Sequence, residues 1–245
     1  MNPSFAYFEL QDVVLDKYNV HYNSLPSVEE SDALLKMSPR FDAFLNDAKE
    51  TVTRYELESF IGLRLIHRHF LLGDSQVMAE GYELVSQAPS LVTYAHNIED
   101  AIEVGATPSS WIFSSNPEEV RLFESSTDYA IKSARSLLEK SPDFMDEMGK
   151  VLREHALYTL ISVAVLKRDA LVASEDQVYF EMNYPNPAKS VVQLWDASEA
   201  IQSIRTSWSF KGPRQLKCPQ RWTCYRPGGP ETHQYIYRHD GYQPD

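Results

Sequence analysis

Two histidines flank an arginine in LIHRHF, residues 65 to 70, at the end of an apolar run. Side chains two apart on an extended strand share a face, so His67 and His69 can converge on one point. Three chemistries use that pattern. A metal needs at least one more ligand, and His96, closing the stretch SLVTYAH, is the candidate third imidazole. With a carboxylate from Asp74, Glu80 or Glu83, the set His67, His69 and His96 suits a divalent transition metal: Fe, Zn or Mn. General acid–base catalysis by His67 and His69 is the second, because imidazole titrates near neutral pH. The third is an anion site, with Arg64 or Arg68 gripping a carboxylate or phosphate of the substrate. The plain alternative is a polar strand end, its imidazoles hydrogen-bonded to nearby carboxylates.

The C-terminal segment carries a second set. Cys218, Cys224, His233 and His239 are all zinc-ligand types, but their spacing lacks the close cysteine pair of a zinc knuckle. Alternation puts Tyr235 and Tyr237 on one face with His233 and His239, a tyrosine wall that either packs across strands or binds an aromatic substrate.

Positioning these residues requires strands, and alternation assigns the faces. With residues 62 to 70 as one strand, Leu63, Leu65, His67 and His69 share one face, and Arg64, Ile66, Arg68 and Phe70 take the other. The strand belongs to a longer pattern. Leu57, Ile61, Arg68 and Leu71 recur one hundred residues later as Leu157, Ile161, Arg168 and Leu171. QVMAE (76–80) matches QVYFE (177–181), APSLVTY (88–94) matches AKSVVQL (188–194), and SPRF (38–41) matches SPDF (141–144). Four pieces in the same order predict two related halves. The positions matching His67, His69 and His96 are Lys167, Asp169 and Asp196, so the histidines belong to the first half alone.

Each half reads as a helix, a three-strand meander and a hairpin. Apolar residues at helical spacing follow Ser38-Pro39 and Ser141-Pro142. The hairpins turn at Ser115-Asn116-Pro117 and at Pro227-Gly228-Gly229-Pro230. The predicted organisation is a lead over residues 1–37 with a capping box at Ser27–Glu30, a first unit over 38–127, a connecting helix over 128–140 and a second unit over 141–245. The fold class is α+β: two pseudo-repeated units in one compact body, each a helix packed on a mainly antiparallel sheet.

Composition narrows the function. A net charge of −12 over 245 residues argues against nucleic acid as partner, because phosphate neutralisation needs a concentrated basic face. The longest apolar run, residues 156 to 166, is too short to span a bilayer, so no membrane partner is expected. Two cysteines and an N-terminus without a secretory pattern fit a cytoplasmic setting. The chain has neither a G-x-G-x-x-G nor a Walker-type loop, so no nucleotide cofactor is expected.

The stretch F-x-G-L-x-L-x-H-R-H-F, Phe60 to Phe70, resembles a motif in uncharacterised fungal proteins of similar length. The resemblance implies no activity and no site residue; it favours a eukaryotic, specialised-metabolism context. The residues themselves lead to an enzyme with a histidine-centred pocket, acting on a small organic molecule of anionic or aromatic character, with oligomerisation open. The alternative is a non-catalytic binding or interaction scaffold.

Overall fold

The computed structural model describes residues 9–117, 119–166, 177–185, 188–196, 203–210, 221–225 and 235–240. The chain is α+β, and among the described strands every pairing but one is antiparallel. The helices are α1 (Leu15–Asn23), α2 (Val28–Lys36), α3 (Phe41–Arg54), α4 (Ile98–Glu103), α5 (Tyr129–Glu139) and α6 (Asp143–Glu154). The first-half strands are β1 (Ile61–Leu65), β2 (Gln76–Val85), β3 (Ala88–Asn97), β4 (Thr107–Phe113) and β5 (Val120–Ser126). Then come β6 (Ile161–Val165), β7 (Gln177–Pro185), β8 (Ala188–Asp196), β9 (Ser203–Arg205), β10 (Ser207–Ser209), β11 (Arg221–Tyr225) and β12 (Tyr235–Asp240).

Local rules account for most helices. Ser27 Oγ accepts from Glu30 N at 3.2 Å while Glu30 Oε2 accepts from Ser27 N at 2.8 Å, the reciprocal box that starts α2. In α3, Phe44, Leu45, Ala48 and Val52 form one buried stripe, and in α6 Phe144, Met145, Met148 and Leu152 do the same. Helix α5 fills the predicted connector, with the Asp128 carboxylate accepting from Ala130 N at 2.9 Å. Helix α1 is an addition to the expected lead. Its buried side chains, Tyr18, Asn19 and Tyr22, are polar-tipped, so apolar periodicity does not reveal it.

The strands form one sheet in the order β10-β1-β6-β4-β5-β2-β3-β8-β7-β12-β11-β9. Its two ends, β9 and β10, are separated in sequence by Thr206 alone, so the sheet curls round until its ends are joined. β4 and β5 make the first predicted hairpin, and β11 and β12 pair antiparallel as the second; the turn of the second lies outside the described residues. The expected meander does not form: β2 pairs with β3 and β5, while β1 lies across β6, β4 and β5 from it. β1 and β2, consecutive in the chain, are therefore not neighbours in this sheet.

Corresponding segments meet at corresponding places. β1 and β6 pair with Leu63 opposite Val163, and β3 and β8 with Val92 opposite Val191. Trp208 of β10 lies opposite Leu63, and Trp111 of β4 lies opposite Val163. Glu56 and Ala156, each just before its strand, take positive φ of 57° and 56°.

The main apolar core lies between this part of the sheet and helices α2, α3, α5 and α6. Ile61, Leu63 and Leu65 of β1 and Ile161, Val163 and Val165 of β6 face it, beside Phe44, Phe144, Trp111 and Trp208. Gly62 sits at a close approach, where an added Cβ would lie 2.4 Å from the Trp208 carbonyl oxygen, so β1 and β10 can pair here only because a side chain is missing. No described helix is long and apolar enough to cross a membrane.

Candidate functional site

β1 ends earlier than its sequence suggests, and that decides the site. Leu65 N donates to Thr206 O at 2.8 Å and Ile66 N to Leu160 O at 2.8 Å. The chain then leaves the sheet. Arg68 N donates to Pro26 O at 2.9 Å, and the Arg68 guanidinium donates to Asn23 O at 2.6 Å. Arg68 thus fastens the segment to the turn between α1 and α2 and does not line the cavity described below. Beyond Leu65 strand alternation no longer applies. Arg64 and His69, expected on opposite faces, come to the same place.

That place is a buried charged cluster on the face of β1 opposite the apolar core. The Arg64 guanidinium donates to a Glu124 carboxylate oxygen and stands 3.7 Å from Glu80 Oε2. His69 Nε2 is 3.1 Å from Glu124 Oε1, and its Nδ1 is 3.3 Å from Glu181 Oε1. The side chains of Glu80, Glu124, His69 and Glu181 are 2%, 4%, 6% and 8% exposed, so water screens these contacts little. The His67 ring packs 4.6 Å from that of His69, centroid to centroid, and its Nδ1 is 2.8 Å from Leu65 O. All six side chains line one cavity with room for about 20 Å³.

The two imidazoles differ in charge. Burial disfavours the charged form of both. At His69 the carboxylates of Glu181 and Glu124 outweigh burial and raise the pKa to about 10. At His67 burial dominates, the His69 charge adds to it, and the pKa falls to about 4. Burial likewise opposes ionisation of Glu124, but Arg64 and His69 overcome it and hold the pKa at about 2. Near neutral pH the site presents a neutral imidazole beside a charged one that is oriented by two carboxylates.

The structure brings together Arg64, His67, His69 and Glu80 of the expected residues and leaves others apart. His96 lies on β3 opposite Val77, its ring 5.7 Å from that of Tyr94, and it does not line the cavity. Among the described residues no group of three or more His, Cys, Asp or Glu side chains is arranged to hold a metal ion. The ring nitrogens of His69 face carboxylates and, protonated, have no lone pair to offer a metal. The expected set for Fe, Zn or Mn is therefore not assembled. Arg64, expected as an anion anchor, is engaged by the carboxylates of Glu80 and Glu124. Tyr237 stands opposite Glu181 in the register of β12 on β7, but the side chains of Tyr235 and Tyr237 lie outside what is described, as do residues Cys218 and His233.

Glu124 and Glu181 are the residues the sequence reading missed. Each directly follows apolar or aromatic residues in its strand, in RLFES and QVYFE, and a buried carboxylate there is unexpected. A signal existed: the matched pieces QVMAE and QVYFE both end on glutamate, and both glutamates, Glu80 and Glu181, reach the cavity. No protein-family model matches the chain, and no curated protein or solved structure resembles it at a significant level.

Proposed function

We propose that the cluster is a histidine-centred acid–base site acting on a small organic molecule. The observation that carries this reading is the pair of adjacent buried imidazoles, one neutral and one charged, facing a single cavity. Buried charges are expensive, and such perturbed groups gather where chemistry or binding needs them. In this reading neutral His67 takes up a proton, His69 stabilises negative charge that develops beside it, and Glu124 and Glu181 hold the His69 ring in place. A cavity of about 20 Å³ accepts a water molecule or one polar group, so the reacting end of the substrate enters while the remainder stays outside.

The same volume supports a second reading. Pockets that bury most of a drug-sized ligand measure ~300 Å³ or more. A scaffold whose charged interior fixes strand register would need no larger space. Purified protein incubated with a panel of small organic acids, alcohols and amides, followed by NMR for turnover and imidazole shifts, separates the two. The enzyme reading expects a compound that is converted by the wild type and not by a folded His67→Asn variant. Equal conversion by the two proteins, or no compound that perturbs either imidazole, leaves the scaffold.

The two pseudo-repeated units belong to this proposal. Supporting them are the sequence pieces one hundred residues apart, the centring of the β1–β6 pair on Leu63 and Val163, and the equivalent positions of Trp111 and Trp208. In that scheme the halves supplied Glu80 and Glu181 in common, and the first half alone supplied Arg64 and the histidines.

A further inference from the structure

Helix α1 carries the same pair of residues twice, Tyr18-Asn19 and Tyr22-Asn23, in the stretch YNVHYN. Residues four apart are neighbours on one flank of a helix, so like lies above like. The Tyr18 and Tyr22 rings stack at 5.9 Å, and the Tyr22 ring is 6.2 Å from that of Phe123. The two tyrosines are 6% and 1% exposed, and neither lines the cavity of the charged cluster. All four side chains end on backbone groups of β2, β5 and the segment after β1.

The Tyr18 hydroxyl donates to Phe123 O at 3.0 Å and accepts from Met78 N at 3.3 Å. It thereby joins β5 to β2, just before Glu124 on one strand and Glu80 on the other. One turn on, the Tyr22 hydroxyl accepts from His69 N at 3.3 Å. Asn23 pairs with Leu72 as a neighbouring backbone would: Nδ2 donates to Leu72 O and Oδ1 accepts from Leu72 N, both at 2.9 Å. Asn19 Nδ2 donates to Gly73 O at 2.6 Å. A segment that has left the sheet needs other partners for its backbone, and α1 supplies them. Burial raises the pKa of both hydroxyls, so they stay protonated and neutral while the nearby imidazole and carboxylates titrate.

We propose that Tyr18 and Tyr22 are positioning residues of the acid–base site, the first fixing the strand that carries Glu124 and the second the backbone that carries His69. Two hydroxyls on one rigid helical turn hold imidazole and carboxylate at their separation of 3.1 Å. Besides Glu124 of β5, His69 meets Glu181 of β7 and the His67 ring, and it shares the cavity with Arg64 of β1 and Glu80 of β2. A part in catalysis for the two tyrosines rests on the function proposed above; their placing of His69 does not.

Titration of the His69 ring, followed by ¹⁵N NMR on the full chain, tests this without a substrate. The wild-type midpoint is expected at about pH 10. Tyr22→Phe keeps the ring and removes only the hydroxyl; it should lower that midpoint by about one pH unit, the worth of one hydrogen bond. Tyr18→Phe should move it in the same direction. Val52→Ala, in the main apolar core, should lower Tm and leave the midpoint where it is. A midpoint unmoved in both folded tyrosine variants overturns the proposal and leaves the acid–base reading standing. So does a midpoint that Val52→Ala lowers as much as Tyr22→Phe, since general loosening would then explain both. A wild-type midpoint near the ordinary 6.5 overturns the proposal and the acid–base reading together. Thermal unfolding shows which variants are folded, and if one tyrosine variant is not, the other decides.

Discussion

The two faces of β1 make a sharp contrast. On one, Ile61, Leu63 and Leu65 enter an apolar core shared with four helices. On the other, Arg64 enters a cluster of carboxylates and imidazoles that is nearly as dry. One strand therefore separates two interiors with opposite physics. The apolar side gains free energy with every methylene removed from water. On the charged side, desolvation offsets much or all of the Coulombic attraction. The first interior holds the fold together. The second is tolerated by it and adds little net stability.

The contrast can be broken from either side. The largest effect is expected in the apolar interior: Phe144→Ala should lower unfolding free energy by ~3–5 kcal/mol, measured by urea denaturation, because a fully buried ring leaves a cavity. A loss below about 1 kcal/mol would show that α6 is not a keystone of the core. On the charged side, Glu124→Leu alone should be destabilising by ~3 kcal/mol, since it strands Arg64 and His69 without their shared carboxylate. The double variant Arg64→Met/Glu124→Leu should recover at least ~1 kcal/mol of that loss. Strict additivity of the two changes would mean that they do not act as a pair.

The pH dependence sharpens the comparison further, since titration concerns the charged interior and not the apolar one. His69 is raised above its ordinary value of 6.5, so its contribution is fully present below pH 6.5 and is lost as pH rises towards about 10. Glu124 is depressed below 4.5, so its contribution is present above pH 4.5 and is lost as pH falls towards about 2. His67 is lowered to about 4, so stability also declines between pH 6.5 and 4 as the unfolded chain takes up the proton first. Chemical denaturation at intervals from pH 3 to 10 should give a maximum near pH ~6.5. His69→Leu should flatten the alkaline limb. An unchanged limb would place the charge elsewhere. The smallest expected effect lies outside both interiors: Ser27→Ala should remove ~1 kcal/mol through loss of the α2 cap, read as a small drop in Tm with the pH profile retained.

Much of the scaffold was legible before any coordinates. The Ser27–Glu30 box, the apolar stripes of α3 and α6, the connector helix and the paired strands β2–β3 and β7–β8 all follow from spacing within a short window. Of the site, Arg64, His67 and His69 were legible as types, but their relation was misread. The alternation rule was carried past Leu65, where the chain leaves the sheet to reach Pro26 and Asn23. His96 was placed beside them by assuming that β1, β2 and β3 are neighbours, and the sheet order separates β1 from β2. Glu124 carried no local sign of its partner, sixty residues away in the chain.

By itself, then, the sequence determined what is encoded within a few residues: which segments become helices, which become strands and which of their faces are apolar. Periodicity is a local property, and burial rewards it wherever the segment ends up. The tertiary structure decided which charges meet. Arg64, His69, Glu80, Glu124 and Glu181 come from β1, the segment after it, β2, β5 and β7, and they converge because the sheet curls and closes through Thr206. Sheet order arises from the packing of the whole chain, and no short stretch of residues specifies it.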